Sequence, residues 1–213
     1  KGLLWWSHDI GGYMGGVEDA ELYMRYVQMG VYSPLLRLSS KRGKYYKREP
    51  WKWDVKTLKI VKDYLQIRHR LIPYLYTEGY KYHQTGKPLI EPLYYQNPEI
   101  YDEPKYKNEY YFGSELLVCP ITKQKDTVMN RTVKDVFLPE GVWYDFKTGK
   151  KFLGDKRYVV FYKDEDYPVF AKSGSIVPLG NFYENINDTR PPESMEIHIF
   201  PGKSNIYNLY EDD

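Results

Sequence analysis

Two apolar runs near the start of the chain end in polar residues, and these polar residues are the best suited to chemistry. Ser7, His8 and Asp9 follow the first run, and a cluster of glycines comes directly after them. A carboxylate at the tip of a strand can accept hydrogen bonds from ligand hydroxyl groups, and glycines allow a tight loop over a ligand. Asp9 is therefore the first candidate for a binding residue. The alternative is that Asp9 only caps the glycine turn.

The second run, "VYSPLLRLSS", ends in Arg37 and two serines, so it also predicts a strand with a polar tip. A helix is expected between the two predicted strands, and Gly30 is expected to end it. The residues that indicate this helix are apolar and recur at helical spacing: Val17, Leu22, Tyr26 and Met29.

A second helical stretch follows a polar loop. Asp54 predicts its N-cap, the apolar stripe extends to about His83, and Pro73 predicts a kink or a turn within it. The order strand, helix, strand, helix over residues 1–86 is typical of parallel α/β units. In a (β/α)8 barrel the C-terminal ends of the strands carry the site. Two such units are only a quarter of a barrel, so we expect residues 1–86 to expose apolar surface.

The pattern changes at Lys87, after which short apolar runs alternate with turns. This spacing predicts an antiparallel β-sandwich over residues 87–180. Residues 181–193 are polar and contain prolines, which predicts a linker, and the strands after it are expected to begin a further β-domain within residues 181–213. The predicted fold class is therefore α/β plus all-β.

Composition excludes several classes of function. The chain has 213 residues and a formal net charge of +2, so neither nucleic acid nor an anionic membrane surface is indicated as a partner. No apolar run is long enough to span a bilayer. Cys119 is the single cysteine and lies in an apolar run, and the histidines lack metal-ligand spacing, so no disulfide, metal or cofactor is expected. The 24 tyrosines suit sugar binding or simply a β-rich protein.

Several motifs carry a family resemblance over essentially the whole chain. They are "WWSHDIGGY", "ELYMRYVQMGVYSPLLRLSS", "REPW", "RHRLIPYLYT", "YFGSELLVCPI", "VFLPEGVWYDFKTGKKFLG", "YPVFAKSGSIVPLG" and "YEDD". In this order the sequence resembles the C-terminal part of glycoside hydrolase family 31, the α-glucosidase-like retaining enzymes. The resemblance implies the last two β/α units of a (β/α)8 barrel, then a proximal β-sandwich and the start of a distal β-domain. It also implies that the two catalytic carboxylates lie upstream, in the missing N-terminal part of the barrel.

The resemblance assigns sugar-binding roles to four residues. It places Asp9 beside the innermost sugar, and Tyr13 as an aromatic wall that stacks on the sugar. Arg37 would steady carboxylates of the upstream part of the barrel by charge pairing. Ser39 stands where the family usually has a histidine that bonds sugar hydroxyls, so this chain departs from the pattern there.

Three further residues are expected to support the site from behind. His8 is expected to orient the loop, Glu49 to contact other side chains of the site, and Trp51 to pack. The function implied is a fragment of an exo-acting α-glycosidase whose partners are an α-glycoside or oligosaccharide and the rest of the barrel. Two alternatives remain: an enzyme for 2-substituted hexosides such as α-N-acetylhexosaminides, because Ser39 is small, or a non-catalytic carbohydrate-binding or structural β-module.

Overall fold

The computed structural model describes residues 4–43, 46–181 and 193–212. Within these residues three α-helices lie in the first part of the chain: α1 (Ala20–Val31), α2 (Val55–Arg70) and α3 (Ile72–Thr85). The strands follow: β1 (Ile90–Pro92), β2 (Tyr110–Phe112), β3 (Leu116–Val118), β4 (Thr132–Leu138), β5 (Val142–Asp145), β6 (Lys151–Leu153), β7 (Lys156–Tyr162), β8 (Val169–Lys172), β9 (Ile176–Gly180) and β10 (Met195–Ile199).

Helix α1 begins after Asp19, whose side chain accepts a hydrogen bond from the Leu22 amide at 2.8 Å. The helix ends at Val31, so the prediction that Gly30 ends it is off by one residue. Gly30 lets Ile10 pack against the helix, because a Cβ atom there would lie 2.2 Å from Ile10 Cδ1. The predicted apolar stripe is wrong at Val17, which precedes the helix, and at Leu22, whereas Tyr26 and Met29 are partly buried against the core. The buried apolar side chains are Tyr23, Met24, Val27 and Val31, whereas Val17 and Leu22 are exposed.

The helical stretch after Asp54 is confirmed, and so is its interruption. The Asp54 carboxylate accepts hydrogen bonds from the Thr57 amide at 3.0 Å and the Thr57 hydroxyl at 2.6 Å. Helix α2 stops before Leu71, and α3 starts with Pro73 in its first turn, where proline costs no helical hydrogen bond. Gly86 ends α3 in the left-handed conformation, with φ of 72°.

The two segments that were predicted to be strands ending in polar residues are not strands in the structure. Residues 4–10 and 31–40 meet at one parallel β-bridge, Ile10 with Leu38, where the Ile10 amide donates to the Arg37 carbonyl at 3.1 Å. A strand is held by ladders of such bonds, and among the described residues these two segments pair only with each other. Trp5 and Trp6, expected inside a sheet, are 58% and 37% exposed. The expectation of exposed apolar surface in the first part of the chain is confirmed.

The strands after residue 87 form a layered β-structure in which every named strand pairing is antiparallel. The largest sheet has the order β1-β2-β3-β8-β5-β6, and β4–β7 and β9–β10 form separate pairs. On β3, Leu116 and Val118 pack in the core shared with the helices, whereas Leu117 packs with residues of β4. The period-two alternation therefore places the large sheet between the helices and β4.

The turn-bounded runs predicted this part well, and Cys119 is fully buried, as expected. The run before Pro139 and the run after Gly141 correspond to β4 and β5, and Gly141 has a φ of 121° in the turn between them. The predicted linker at residues 181–193 lies almost wholly outside the described residues. Beyond it, β10 pairs with β9, and the Tyr210 ring stacks on Tyr80 of α3 with 3.7 Å between ring centroids.

Candidate functional site

The site begins with an ion pair between Asp9 and Arg37. The parallel bridge between Ile10 and Leu38 brings the preceding residue of each segment side by side. An Arg37 guanidinium N–H donates to Asp9 Oδ1 at 2.6 Å, and both side chains remain partly exposed. Among the described residues Asp9 Oδ2 has no hydrogen-bond partner, so this oxygen is available to accept bonds from a ligand. The structure thus joins two of the residues that the sequence singled out separately.

A glycine turn follows Asp9 and is held from outside by Arg48. The Gly12 amide donates to the Asp9 carbonyl at 2.8 Å, and Gly11 and Gly12 have φ of 89° and 84°. The Arg48 guanidinium donates to the Gly12 carbonyl from Nε at 3.0 Å and from a terminal nitrogen at 2.7 Å. A Cβ atom at Gly11 would lie 2.5 Å from Arg48 Cδ, so glycine is required there by space as well as by conformation. Sequence reasoning assigned no role to Arg48.

Tyr13 follows this turn, and Ser39 lies in the segment that is hydrogen-bonded to it. The Tyr13 carbonyl accepts a hydrogen bond from the Lys41 amide at 2.7 Å, which ties the glycine loop to the segment that contains Ser39. The Tyr13 ring is 49% exposed and can therefore present a face to a ligand. Ser39 lines an open groove of about 840 Å³ together with Lys41, Arg48 and other residues of the 38–52 region.

His8 lies behind Asp9 in an aromatic environment. Its ring stacks on Tyr26 with 5.3 Å between centroids and also lies 5.3 Å from the Trp6 ring. Burial lowers the pKa of His8, and the charge of Asp9 opposes this shift only in part. The His8 ring packs between two aromatic rings, its Nε2 has no hydrogen-bond partner among the described residues, and its role in orienting the loop stays a prediction.

Glu49 and Trp51 occupy the rim of the groove. Glu49 pairs with Lys52 at 2.8 Å and accepts a bond from the Arg48 amide at 3.2 Å. The hydrogen bond from Lys52 and those from backbone amides lower the pKa of Glu49 to about 2. The prediction that Trp51 packs is wrong, because its side chain is 71% exposed. Trp51 lies on a 3₁₀ turn, Pro50–Lys52, and Pro50 is the buried residue of that turn.

Metal clusters and membrane-spanning helices are both absent from residues 4–43, 46–181 and 193–212. No group of three His, Cys, Asp or Glu side chains in these ranges could hold a metal ion. None of the helices in these ranges has the length and apolarity needed to cross a bilayer.

Two family models match consecutive parts of the chain. Residues 1–78 match the glycosyl hydrolases family 31 TIM-barrel domain, and residues 86–177 match the glycosyl hydrolase family 31 C-terminal domain. The chain belongs to glycosyl hydrolase family 31. Its fold is accordingly part of the family's TIM-barrel domain followed by the C-terminal domain, and the resemblance inferred from the motifs is confirmed.

Curated relatives in the family are much longer than this chain. The chain is 28% identical over its full length to an α-xylosidase of Saccharolobus solfataricus and covers 29% of that protein. It is 31% identical over its full length to α-glucosidase 2 of Bacillus thermoamyloliquefaciens and covers 26% of that protein. The chain thus spans about a quarter of the length of these relatives.

Solved structures of the family show the same arrangement. A family 31 dextranase of Flavobacterium johnsoniae complexed with isomaltotriose is 35% identical, with a TM-score of 0.83 over 96% of this chain and 25% of the dextranase. A cycloalternan-forming enzyme of Listeria monocytogenes in complex with a pentasaccharide substrate is 28% identical, with a TM-score of 0.87 over 99% of this chain and 21% of that enzyme. Both structures contain a bound oligosaccharide.

Proposed function

We propose that this chain forms part of a retaining exo-α-glycosidase that hydrolyses terminal α-linked sugars. The observation that carries the proposal is the Asp9–Arg37 ion pair, which lies beside the parallel β-bridge that joins residues 4–10 and 31–40. Family membership supports the reaction class, and the oligosaccharides bound by the dextranase and the cycloalternan-forming enzyme support the class of substrate.

On this proposal the bridged segments are the seventh and eighth strands of the barrel. The parallel bridge supports this assignment, because neighbouring strands of a (β/α)8 barrel are parallel. Barrel strands one to six then belong to a part of the enzyme outside these residues, and they complete the ladders that residues 4–10 and 31–40 lack. Residues 87–180 are the proximal β-sandwich, and residues 181–213 are a linker and the start of a distal β-domain.

The residues of this chain bind and orient the sugar in the proposed mechanism. Asp9 Oδ2 accepts hydrogen bonds from sugar hydroxyl groups, and Arg37 fixes the Asp9 carboxylate by holding its other oxygen. The half-exposed ring of Tyr13 stacks on the C–H face of the sugar, and the Ser39 hydroxyl donates to or accepts from a neighbouring sugar hydroxyl. Glu49 and His8 hold the surrounding loops.

The bond-breaking groups are carboxylates outside this chain. A retaining glycosidase uses one carboxylate as nucleophile, which forms a glycosyl-enzyme intermediate, and a second as general acid and then base. Asp9 accepts a hydrogen bond from Arg37 on one oxygen and keeps the other for a ligand, so its proposed role is binding. No catalytic residue is therefore assigned within the chain.

The proposal is tested by comparing this chain with the longer polypeptide encoded when the preceding sequence of the gene is included. The chain alone is expected to leave an aryl α-glucoside unhydrolysed, because it lacks both carboxylates. The longer polypeptide is expected to hydrolyse it, and NMR of the first product is expected to show the α-anomer. Turnover by the purified chain, or a first product with inverted configuration, would contradict the proposal.

Replacing Asp9 by asparagine tests the binding role of this residue. The asparagine side chain keeps the shape of the aspartate but lacks the charge that strengthens hydrogen bonds to the sugar and to Arg37. A hydrogen bond to a charged group contributes about 1.5–3 kcal/mol, so kcat/KM of the longer polypeptide should fall by about 10–100-fold. Asp63→Asn is the matched control, because Asp63 pairs only with Lys59 on the exposed face of α2. Equal kcat/KM values for the two variants would show that Asp9 does not bind the sugar.

A further inference from the structure

Three tyrosines form a surface cluster within residues 87–180, the β-part of the chain. Tyr94, Tyr95 and Tyr101, here called the tyrosine cluster, lie on two 3₁₀ turns, Leu93–Tyr95 and Pro98–Asp102. The Tyr94 ring lies edge-on to both neighbours, with 5.3 Å between its centroid and that of Tyr95 and 5.2 Å to that of Tyr101. Tyr95 and Tyr101 are 63% and 57% exposed.

The cluster is held rigidly although its rings are exposed. Leu93 and Ile100, one in each turn, are fully buried in the core that contains β4. The Asn97 amide donates to the Leu93 carbonyl at 3.0 Å, and the Ile100 amide donates to the Asn97 carbonyl at 3.0 Å. The two turns are thus linked to each other and anchored from below, so the exposed rings lose little further freedom when a ligand binds.

Polar residues lie close to the two exposed tyrosines in sequence, and one of them is over a ring. The Gln96 amide donates to Glu91 Oε1 at 2.5 Å, and the Lys107 ammonium group lies 5.6 Å from the Tyr101 centroid. Exposed aromatic faces match a sugar ring, which has an apolar C–H face and a hydroxyl edge. Each exposed ring can stack on one sugar, and the Lys107 ammonium group near Tyr101 can bond a sugar hydroxyl.

The size of the cluster disfavours a protein partner. A large aromatic side chain presents about 150–250 Å², so two rings exposed by 63% and 57% offer roughly 200–300 Å². A stable protein interface buries about 800 Å² on each partner, which is several times more. Pro98 is exposed between the two tyrosines and adds a little apolar area, whereas the other exposed residues close by in sequence are polar or charged: Gln96, Glu99, Asp102 and Lys107.

We propose that the tyrosine cluster is a second carbohydrate-binding site that takes α-linked gluco-oligosaccharides. Tyr95 and Tyr101 are the stacking platforms, and Tyr94 fixes their relative orientation. The choice of α-glucans rests on the proposed function, whereas the existence of a sugar site rests on the cluster itself. The site would hold the enzyme on a polymeric substrate without taking part in bond cleavage.

The test is electrophoresis of the full chain in native gels that contain increasing concentrations of dextran or soluble starch. The unmodified chain is expected to be retarded by one of them. The double variant Tyr95→Ala, Tyr101→Ala is expected to bind about tenfold more weakly, because two stacking contacts are lost. Phe161→Ala is the matched control, since Phe161 is a 55% exposed aromatic residue on β7. Tyr95→Phe with Tyr101→Phe should keep most of the retardation.

Two results would overturn the proposal: no retardation of the unmodified chain by either polymer, or equal retardation of the alanine double variant. Sedimentation velocity can give a further contradicting result. Self-association of the unmodified chain that disappears in the double variant would mean that the cluster binds a second copy of the chain. Hydrolysis of an aryl α-glucoside by the longer polypeptide separates this proposal from the proposed function. The double variant should retain that activity, so a loss of retardation with normal hydrolysis reports on the cluster alone.

Discussion

Replacing Arg25 by methionine is expected to lower the free energy of unfolding by about 3–5 kcal/mol, the range typical for one partner removed from a buried polar network. Arg25 lies on α1, and only 5% of it is exposed. Its guanidinium group donates to the carbonyl oxygens of Lys163 at 2.9 Å and Asp166 at 2.7 Å, in the loop after β7. It also donates to the side chain of Gln28 at 2.9 Å. Methionine fills much of the volume but leaves the buried Gln28 oxygen and the two partly buried carbonyls without these donors.

The same arginine connects the two parts of the chain, which is why a large effect is expected. Asp164, in the loop that Arg25 binds, forms ion pairs with Lys56 on α2 and with Lys125 at 2.8 Å. The loop is therefore held to both α1 and α2, and removal of Arg25 weakens the attachment of the β-part to the helices. Urea unfolding followed by intrinsic fluorescence measures the loss.

Arg157→Met is the control for the loss of an arginine as such. Arg157 pairs with Glu103 on the surface, and 46% of its side chain is exposed, so its removal should cost less than about 1 kcal/mol. Arg25→Lys keeps the positive charge but has fewer hydrogen-bond donors. Its free energy of unfolding should lie between those of the wild type and Arg25→Met. Similar losses for Arg25→Met and Arg157→Met would show that the buried network does not join the two parts.

The sequence predicted correctly those parts of the fold whose conformation depends on residues close in sequence. The N-cap at Asp54 and the helix break near Pro73 depend on residues within one turn, and both are present in the structure. The strands of the β-part were predicted because turn residues such as Gly141 separate apolar runs of suitable length. In each case the backbone conformation is determined by a few neighbouring residues.

Predictions failed where a distant segment decides the structure. Residues 4–10 and 31–40 were predicted to be strands, but among the described residues they share a single β-bridge. Trp51 follows a turn proline and was expected to pack, yet the turn buries Pro50 instead. The Arg25 network could not be predicted at all, because its acceptors in the 163–166 loop lie about 140 residues away. The sequence singled out Asp9 and Arg37 individually, but only the fold pairs them.

Glu109 is expected to make the chain less stable as the pH rises from about 4.5 to about 8. This carboxyl group is 1% exposed, and its Oε1 accepts a hydrogen bond from the Phe137 amide of β4 at 3.0 Å. Its Oε2 is buried without a hydrogen-bond partner among the described residues. Burial raises the pKa of Glu109 from 4.5 to about 8, and the Phe137 amide, Lys134 and Cys119 offset this only in part. The folded chain therefore keeps the Glu109 proton at neutral pH.

The direction of the pH dependence follows from which state holds the proton. Between pH 4.5 and pH 8 the folded state binds the Glu109 proton and the unfolded state releases it, so the unfolded state is favoured progressively. The stability contributed by this group is fully present below pH 4.5 and is lost as the pH rises through 8. Between pH 5 and pH 7 the loss should amount to about 2–3 kcal/mol.

Glu109→Gln tests this, because glutamine keeps the acceptor for the Phe137 amide and cannot ionise. The variant should become more stable relative to the wild type by about 2–3 kcal/mol between pH 5 and pH 7, measured by urea unfolding at both values. Glu99→Gln, at an exposed position of the adjacent 3₁₀ turn, controls for the loss of a carboxylate, and its difference from the wild type should stay nearly constant. A difference between wild type and Glu109→Gln that does not change with pH would mean that water reaches Glu109 and that the carboxyl group ionises normally in the folded chain.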